Sequence, residues 1–144
     1  MTSDDVVSFL ERYGWTFHAS SPKRWVSGWQ SDKRSYPLSI ELSDTWVSFS
    51  VTPFMKLDIE WDCWPDIMRF LLELNHDSQM VSLGIDQDQQ LVLQTQLLTE
   101  SLTYEAFADT ISLIGYYAES IYDAIIDRVF SSGVLLDNGS RLLT

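Results

Sequence analysis

The chain has 144 residues, 45% of them hydrophobic, and a formal net charge of −12. This length suits one domain that buries its own core, and the hydrophobic share excludes a disordered chain. The charge disfavours nucleic acid as a partner, because the phosphate backbone carries the same sign. No apolar run approaches the ~20 residues that cross a bilayer, and no secretory signal is recognisable, so we expect a cytoplasmic protein without membrane contact. With Cys63 as the single cysteine, no internal disulfide can form.

The first half of the sequence predicts a helix followed by three strands. The helix spans about residues 3–13, with Thr2 or Ser3 as its cap and Gly14 at its end. Strand-favouring residues follow at 25–29, and apolar and polar residues alternate over 38–42 and again over 47–51. Residues 15–24 give no clear pattern.

The second half predicts a helix, a hairpin and a long final helix. Asp62 is the expected cap of the helix over about 62–75, and Pro65 fits its first turn. Alternation over 81–97, interrupted by a polar turn at 86–90, predicts a hairpin. The final helix begins after Thr103 and keeps apolar steps of three and four for about 26 residues, or about 39 Å.

These elements predict an α+β domain over residues 1–130, with the order α-β-β-β-α-β-β-α. Strands grouped without helical crossovers indicate an antiparallel sheet of about five strands with helices on one face. Residues 131–144 are expected to be a C-terminal tail.

A stretch over about residues 60–125 carries a family resemblance. A helix ends in Leu71–His76, an Asp-rich hairpin follows in Leu83–Asp88 and Leu91–Leu93, and Leu98–Phe107 opens a long helix. This succession resembles the YbjN family, described as sensory-transduction regulators, and the class I chaperones of type III secretion. The resemblance implies a dimer-forming domain that binds another polypeptide, and it brings no catalytic motif with it.

Groups that could support catalysis or metal binding are sparse. No GxSxG, P-loop, GxGxxG or HExxH pattern occurs, and the two histidines, His18 and His76, stand beside a turn and a helix end. The acidic residues around the second helix could hold a divalent ion, but helix capping and solvation explain them more simply; they are Asp58, Glu60, Asp62 and Asp66. We therefore expect no metal and no cofactor.

The tryptophans are the least ordinary feature of the sequence. All six lie within residues 15–64, and basic pairs at 23–24 and 33–34 bracket Trp25 and Trp29. Aromatic and basic side chains together suit protein recognition. For any single tryptophan a place in the core is the simpler interpretation, but the set of six predicts at least one exposed aromatic patch. Trp46 is the best candidate for exposure, because Val47 and its alternating neighbours claim the opposite face of the strand. Trp25, Trp29 and Trp46 are thus the predicted protein-binding residues.

Self-association as a homodimer is also expected. The last helix is long for a domain of this size, and some of its apolar residues lie partly off the main stripe. The predicted dimer contacts are Leu113, Tyr116 and Tyr117. A two-fold contact would bury such residues on both chains at once.

The sequence therefore favours a non-catalytic protein-binding module, either a chaperone-like protein or a regulatory adapter, whose partner is another protein. One alternative is an enzyme with an acidic site built on Asp58, Glu60 and Asp62. The other is a structural subunit of a larger assembly.

Overall fold

A computed structural model describes residues 1–58, 60, 62–131, 136–137 and 141–142. The helices and strands are α1 (Ser3–Tyr13), β1 (His18–Ser21), β2 (Arg24–Gln30), β3 (Ser35–Leu42), β4 (Trp46–Lys56), α2 (Trp64–Asp77), β5 (Ser82–Ile85), β6 (Gln90–Leu98), α3 (Tyr104–Ser131), β7 (Leu136–Asp137) and β8 (Arg141–Leu142). A single 3-10 turn, Thr99–Ser101, joins β6 to α3. None of the helices in the described part is long and apolar enough to cross a membrane.

One antiparallel sheet of six strands carries the fold, in the order β1-β2-β3-β4-β6-β5. The predicted fold class is confirmed, and the extra strand is β1, which pairs with β2 through Ala19 and Trp25. Every residue of β1 is exposed, so this strand has no alternation of apolar and polar residues by which the sequence could reveal it.

The core lies between one face of the sheet and the helices. Ile40, Phe49 and Thr95 are cross-strand neighbours on that face, and all three are buried. Phe107 of α3 packs against Phe49, with ring centroids 5.5 Å apart. The arrangement of helices on one side leaves the opposite face of the sheet open.

The helix ends show which cap predictions were right. Thr2 caps α1 in a reciprocal pair with Asp5, and Gly14 ends the helix in the left-handed conformation. Thr103 caps α3, because its hydroxyl accepts the Ala106 N–H at 3.1 Å. For α2 only the predicted cap was wrong: Cys63, and not Asp62, occupies the cap position, with no side-chain cap bond. The helix begins at Trp64, and Pro65 lies in its first turn as predicted.

The final helix has 28 residues, and its predicted apolar stripe faces the core. All seven stripe residues are buried: Phe107, Ile111, Ile114, Ala118, Ile121, Ile125 and Val129. The predicted tail, 131–144, lies largely outside the described residues. Ser131 belongs to α3, and β7 pairs with β8 in an antiparallel manner.

Candidate protein-binding surfaces

Two of the three tryptophans predicted to bind protein have packing roles. Trp25 is only 2% exposed and lies with its cross-strand neighbour Ile40 in the core. Trp29 is half-buried and stacks between Trp15 and Tyr36, with ring centroids 5.9 Å and 4.8 Å away. Trp29 thereby belongs to an aromatic row on the helix side of the sheet, which continues from Trp15 through Tyr36 to Tyr122. We therefore leave Trp25 out of any binding surface.

Lys33 and Arg34, the basic pair that follows Trp29 in the sequence, contact α3 of the same chain. The Arg34 guanidinium stacks over the Tyr122 ring at 3.9 Å and donates to Glu119, Asp123 and the Tyr36 hydroxyl at 3.2, 3.1 and 3.3 Å. Lys33 adds a 2.8 Å ion pair to Asp123. The hydrogen bond from Lys33, reinforced by Arg34, lowers the pKa of Asp123. This charged cluster joins the β2–β3 turn to α3.

Because of Tyr36, we expect the folded protein to become less stable at alkaline pH. Burial raises the pKa of Tyr36 to about 12; the hydrogen bond and charge of Arg34 oppose the rise, and the Glu119 carboxylate adds to it. Because the folded state disfavours the phenolate, the unfolded chain ionises first, from about pH 10. We expect the free energy of unfolding to fall by about 2–3 kcal/mol from this group between pH 10 and pH 12. Denaturant titrations of the wild type and Tyr36→Phe at several pH values across that range measure the effect. An equal fall of the free energy of unfolding with pH in the two proteins would contradict it.

Trp46 lies on the open face of the sheet, as the alternation of its strand predicts. Its side chain is 41% exposed, and its cross-strand neighbour Leu98 is equally exposed. On the opposite side of the same strand, Val47 and Phe49 are completely buried. Trp46 and Leu98 form the apolar patch, which adjoins a shallow cavity of about 370 Å³ lined mainly by amide, hydroxyl and backbone groups of residues 79–82 and 94–96.

The sheet around the apolar patch is polar and carries little charge. Cross-strand rows run through Ser39, Ser50 and Gln94, and through Glu41, Ser48 and Gln96. The Gln96 amide donates to the Ser48 hydroxyl at 3.2 Å. In a chain with a net charge of −12, this face offers a partner an apolar anchor without a dense layer of carboxylates.

A second exposed surface follows the solvent side of α3, where the dimer contacts were predicted. Leu113 is 41% and Tyr116 is 67% exposed, and Tyr117 is half-buried against the core. The Tyr116 and Tyr117 rings meet edge to face at 5.5 Å. Since Leu113 and Tyr116 are three residues apart, one face of the helix presents both.

An apolar groove that the sequence did not predict lies between α2 and the β5–β6 hairpin. Leu72 is 65% exposed on one wall and Ile85 is 39% exposed on the other. The space between the walls is about 250 Å³, and its remaining lining is Met68, Leu71, Asn75, Leu83, Gly84 and Leu91. The sequence did contain a signal for this groove. The apolar stripe of α2 is wider than its buried residues Ile67 and Leu71 require, and Leu72 is one of the additional apolar residues.

Of the four acidic residues considered for a metal or a catalytic site, Asp58 and Asp66 have hydrogen-bond partners for their carboxylates. The Asp58 carboxylate accepts the Glu60 N–H at 2.9 Å, which shapes the connection between β4 and α2. Asp66 forms two bonds with Arg128, at 2.9 and 3.2 Å, and these lower the pKa of Asp66. Ile59 and Trp61 lie outside the described residues. Within the described part, no three histidine, cysteine or acidic side chains converge as a metal site would require.

Comparison with known proteins decides the family. The profile of the YbjN family, "Putative bacterial sensory transduction regulator", matches residues 2–127. The chain belongs to the YbjN family. No curated protein matches its sequence.

Two solved structures share the fold of this YbjN-family chain. The first is "YbjN, a putative transcription regulator from E. coli", with a TM-score of 0.55 and 18% identity, covering 83% of this chain and 92% of the other. The second is the Yersinia pestis type III secretion chaperone SycH in complex with a stable fragment of YscM2, with a TM-score of 0.53 and 14% identity, covering 82% and 97%. At these identities the likeness concerns the fold alone.

Proposed function

We propose that this YbjN-family protein is a non-catalytic protein-binding module, acting as a chaperone-like protein or a regulatory adapter. The observation that carries the proposal is the apolar patch of Trp46 and Leu98 on an open sheet face. Exposed tryptophan is typical of the centres of protein interfaces, where it combines a large apolar area with a polar N–H. The YscM2 fragment bound to SycH shows that a protein of the same fold can hold another polypeptide.

The proposal predicts that partner capture depends on Trp46. Affinity capture with the wild type and Trp46→Ser, quantified by mass spectrometry, is the test. Loss of an interfacial tryptophan typically costs about 2 kcal/mol or more, so we expect recovery of the specific partner to fall by at least tenfold. A matched control is Trp15→Ser, because Trp15 belongs to the aromatic row on the helix side. Equal recovery of the partner with the wild type and Trp46→Ser would show that the apolar patch does not bind it.

We also propose that the protein forms a homodimer through α3, with Leu113, Tyr116 and Tyr117 at the contact. Leu113 and Tyr116 are exposed, and a two-fold contact at this helix would bury apolar surface on both chains. Two chains of the same negative charge repel, so salt should favour the dimer.

Light scattering coupled to size exclusion tests the dimer. We expect a dimeric mass at micromolar concentration in about 0.15 M salt, where the Debye length is about 8 Å. Tyr116→Asp should shift the mass to that of a monomer, because it places two carboxylates at the contact. The same substitution at Leu72, on α2, is the control and should leave the mass unchanged. A monomeric wild type would contradict the proposal.

A further inference from the structure

The groove between α2 and β5 is a third exposed apolar surface, distinct from the apolar patch and from the exposed side of α3. Leu72 and Ile85 project from its two walls, and Met68 and Leu83 form part of its floor. With about 250 Å³, the groove is smaller than the ~300–1,000 Å³ typical of sites for metabolites. Exposed leucine and isoleucine side chains flanking a shallow apolar trough suit a macromolecular partner better.

The backbone edge beside the groove is blocked at Leu83 against strand addition. β5 is the last strand of the sheet, and its central residue, Leu83, turns its N–H and C=O away from β6. The Asn75 side chain occupies both groups: its Oδ1 accepts the Leu83 N–H at 2.6 Å, and its Nδ2 donates to the Leu83 carbonyl at 3.1 Å. An extended peptide pairing with β5 would have to displace this amide. A helix that presents only side chains would not.

The charged residues near the groove indicate which kind of partner helix would fit it. Glu73 and Asp77 follow Leu72 on the exposed side of α2, and Asp86 and Asp88 follow Ile85 in the turn after β5. Arg69 is already paired with Glu73 at 3.3 Å. Because the Arg69–Glu73 pair is neutral as a whole, Asp77 on the α2 side and Asp86 and Asp88 on the hairpin side leave a negative charge near the groove. This charge favours a partner with apolar residues on one face and cations at its borders. It disfavours a second copy of this chain, which would bring the same carboxylates.

We propose that the α2–β5 groove binds an amphipathic helix with basic flanks, and that Asn75 sets this mode by blocking the β5 edge at Leu83. Leucine-sized residues at positions i and i+4 of the helix would pack between Leu72 and Ile85, and its lysine or arginine residues would lie over the carboxylates. This inference rests on the proposed function, because it names the partner class for a protein-binding module.

Titration of the labelled full chain with a model peptide tests the proposal by amide NMR. The probe is a helical peptide with leucine at i, i+3, i+4 and i+7 and lysine elsewhere, and its counterpart has glutamate in place of lysine. At about 0.15 M salt, we expect shifts to concentrate in residues 68–75 and 82–85 with the lysine peptide. Leu72→Asp should weaken binding at least tenfold even though it adds a negative charge, whereas Phe130→Asp, an equal change at a 63% exposed residue of α3 outside the proposed dimer contact, should not. The glutamate peptide should not shift these residues.

Several outcomes would overturn the inference. Shifts centred elsewhere, equal binding by both peptides, or unchanged affinity in Leu72→Asp would each contradict it. A dimer that Leu72→Asp dissociates would show that a second copy fills the groove instead. If the lysine peptide does not bind at the groove but partner capture still depends on Trp46, only the proposal for the groove is rejected and the proposed function stands. If capture with the wild type also recovered no specific partner, the proposed function itself would fall.

Discussion

Replacing Ile114 with alanine is expected to lower the free energy of unfolding by about 2–5 kcal/mol. Ile114 is completely buried at the middle of the apolar stripe of α3, which packs on the helix side of the sheet. Truncation removes apolar contacts and leaves a cavity that the surrounding helices and strands fill only in part. Chemical denaturation measures the loss.

The neighbouring Leu113 supplies a matched control. It precedes Ile114 in the same helix but is 41% exposed, so Leu113→Ala should change the free energy of unfolding by less than about 1 kcal/mol in a monomeric sample. Similar losses for the two variants would mean that the face of α3 has been assigned wrongly.

Removal of the Arg34 guanidinium is expected to cost about 2–4 kcal/mol, because this group makes three charge-assisted contacts and the cation–π contact with Tyr122 in a partly buried place. In Arg34→Met the Glu119 carboxylate loses its cation, while its Oε1 is already buried without a hydrogen-bond partner among the described residues. Arg34 holds the β2–β3 turn to α3, so the loss should appear as lower global stability in denaturant titrations.

A double-mutant comparison separates the lost ion pair from lost packing. Arg34→Met combined with Glu119→Gln should recover part of the loss, because no uncompensated carboxylate is left at that place. Arg69→Met tests an exposed pair at i, i+4 on α2 and should cost only about 0.3–0.5 kcal/mol. A double variant no more stable than the single one would show that the Arg34–Glu119 charge pair is not the source of the effect.

Local patterns in the sequence predicted most of the fold because the corresponding forces are local. The cap at Thr103 and the apolar stripe of α3 follow from residues within a few positions of one another. The exposure of Trp46 follows from alternation within its own strand. Strand β1 was missed because pairing with β2, and not an apolar face of its own, defines it.

The features that sequence reasoning could not reach depend on contacts between distant segments. Trp25 and Trp29 have similar sequence surroundings, but only the fold shows that one enters the core and the other joins the aromatic row. Arg34 meets residues of α3 that lie 85 and 89 positions away. The Asn75 bonds to Leu83 and the adjoining groove likewise appear only once α2 and β5 are side by side.

Site-specific photo-crosslinking tests the central claim most directly. A photoreactive phenylalanine analogue at position 46 places the reactive group on the apolar patch, and the same analogue at position 11, an exposed residue of α1, provides the background. A protein-binding module predicts one or a few proteins crosslinked reproducibly from position 46 and competed away by unlabelled wild type. Crosslinks from position 46 that match those from position 11, and that the competitor does not reduce, would contradict the account.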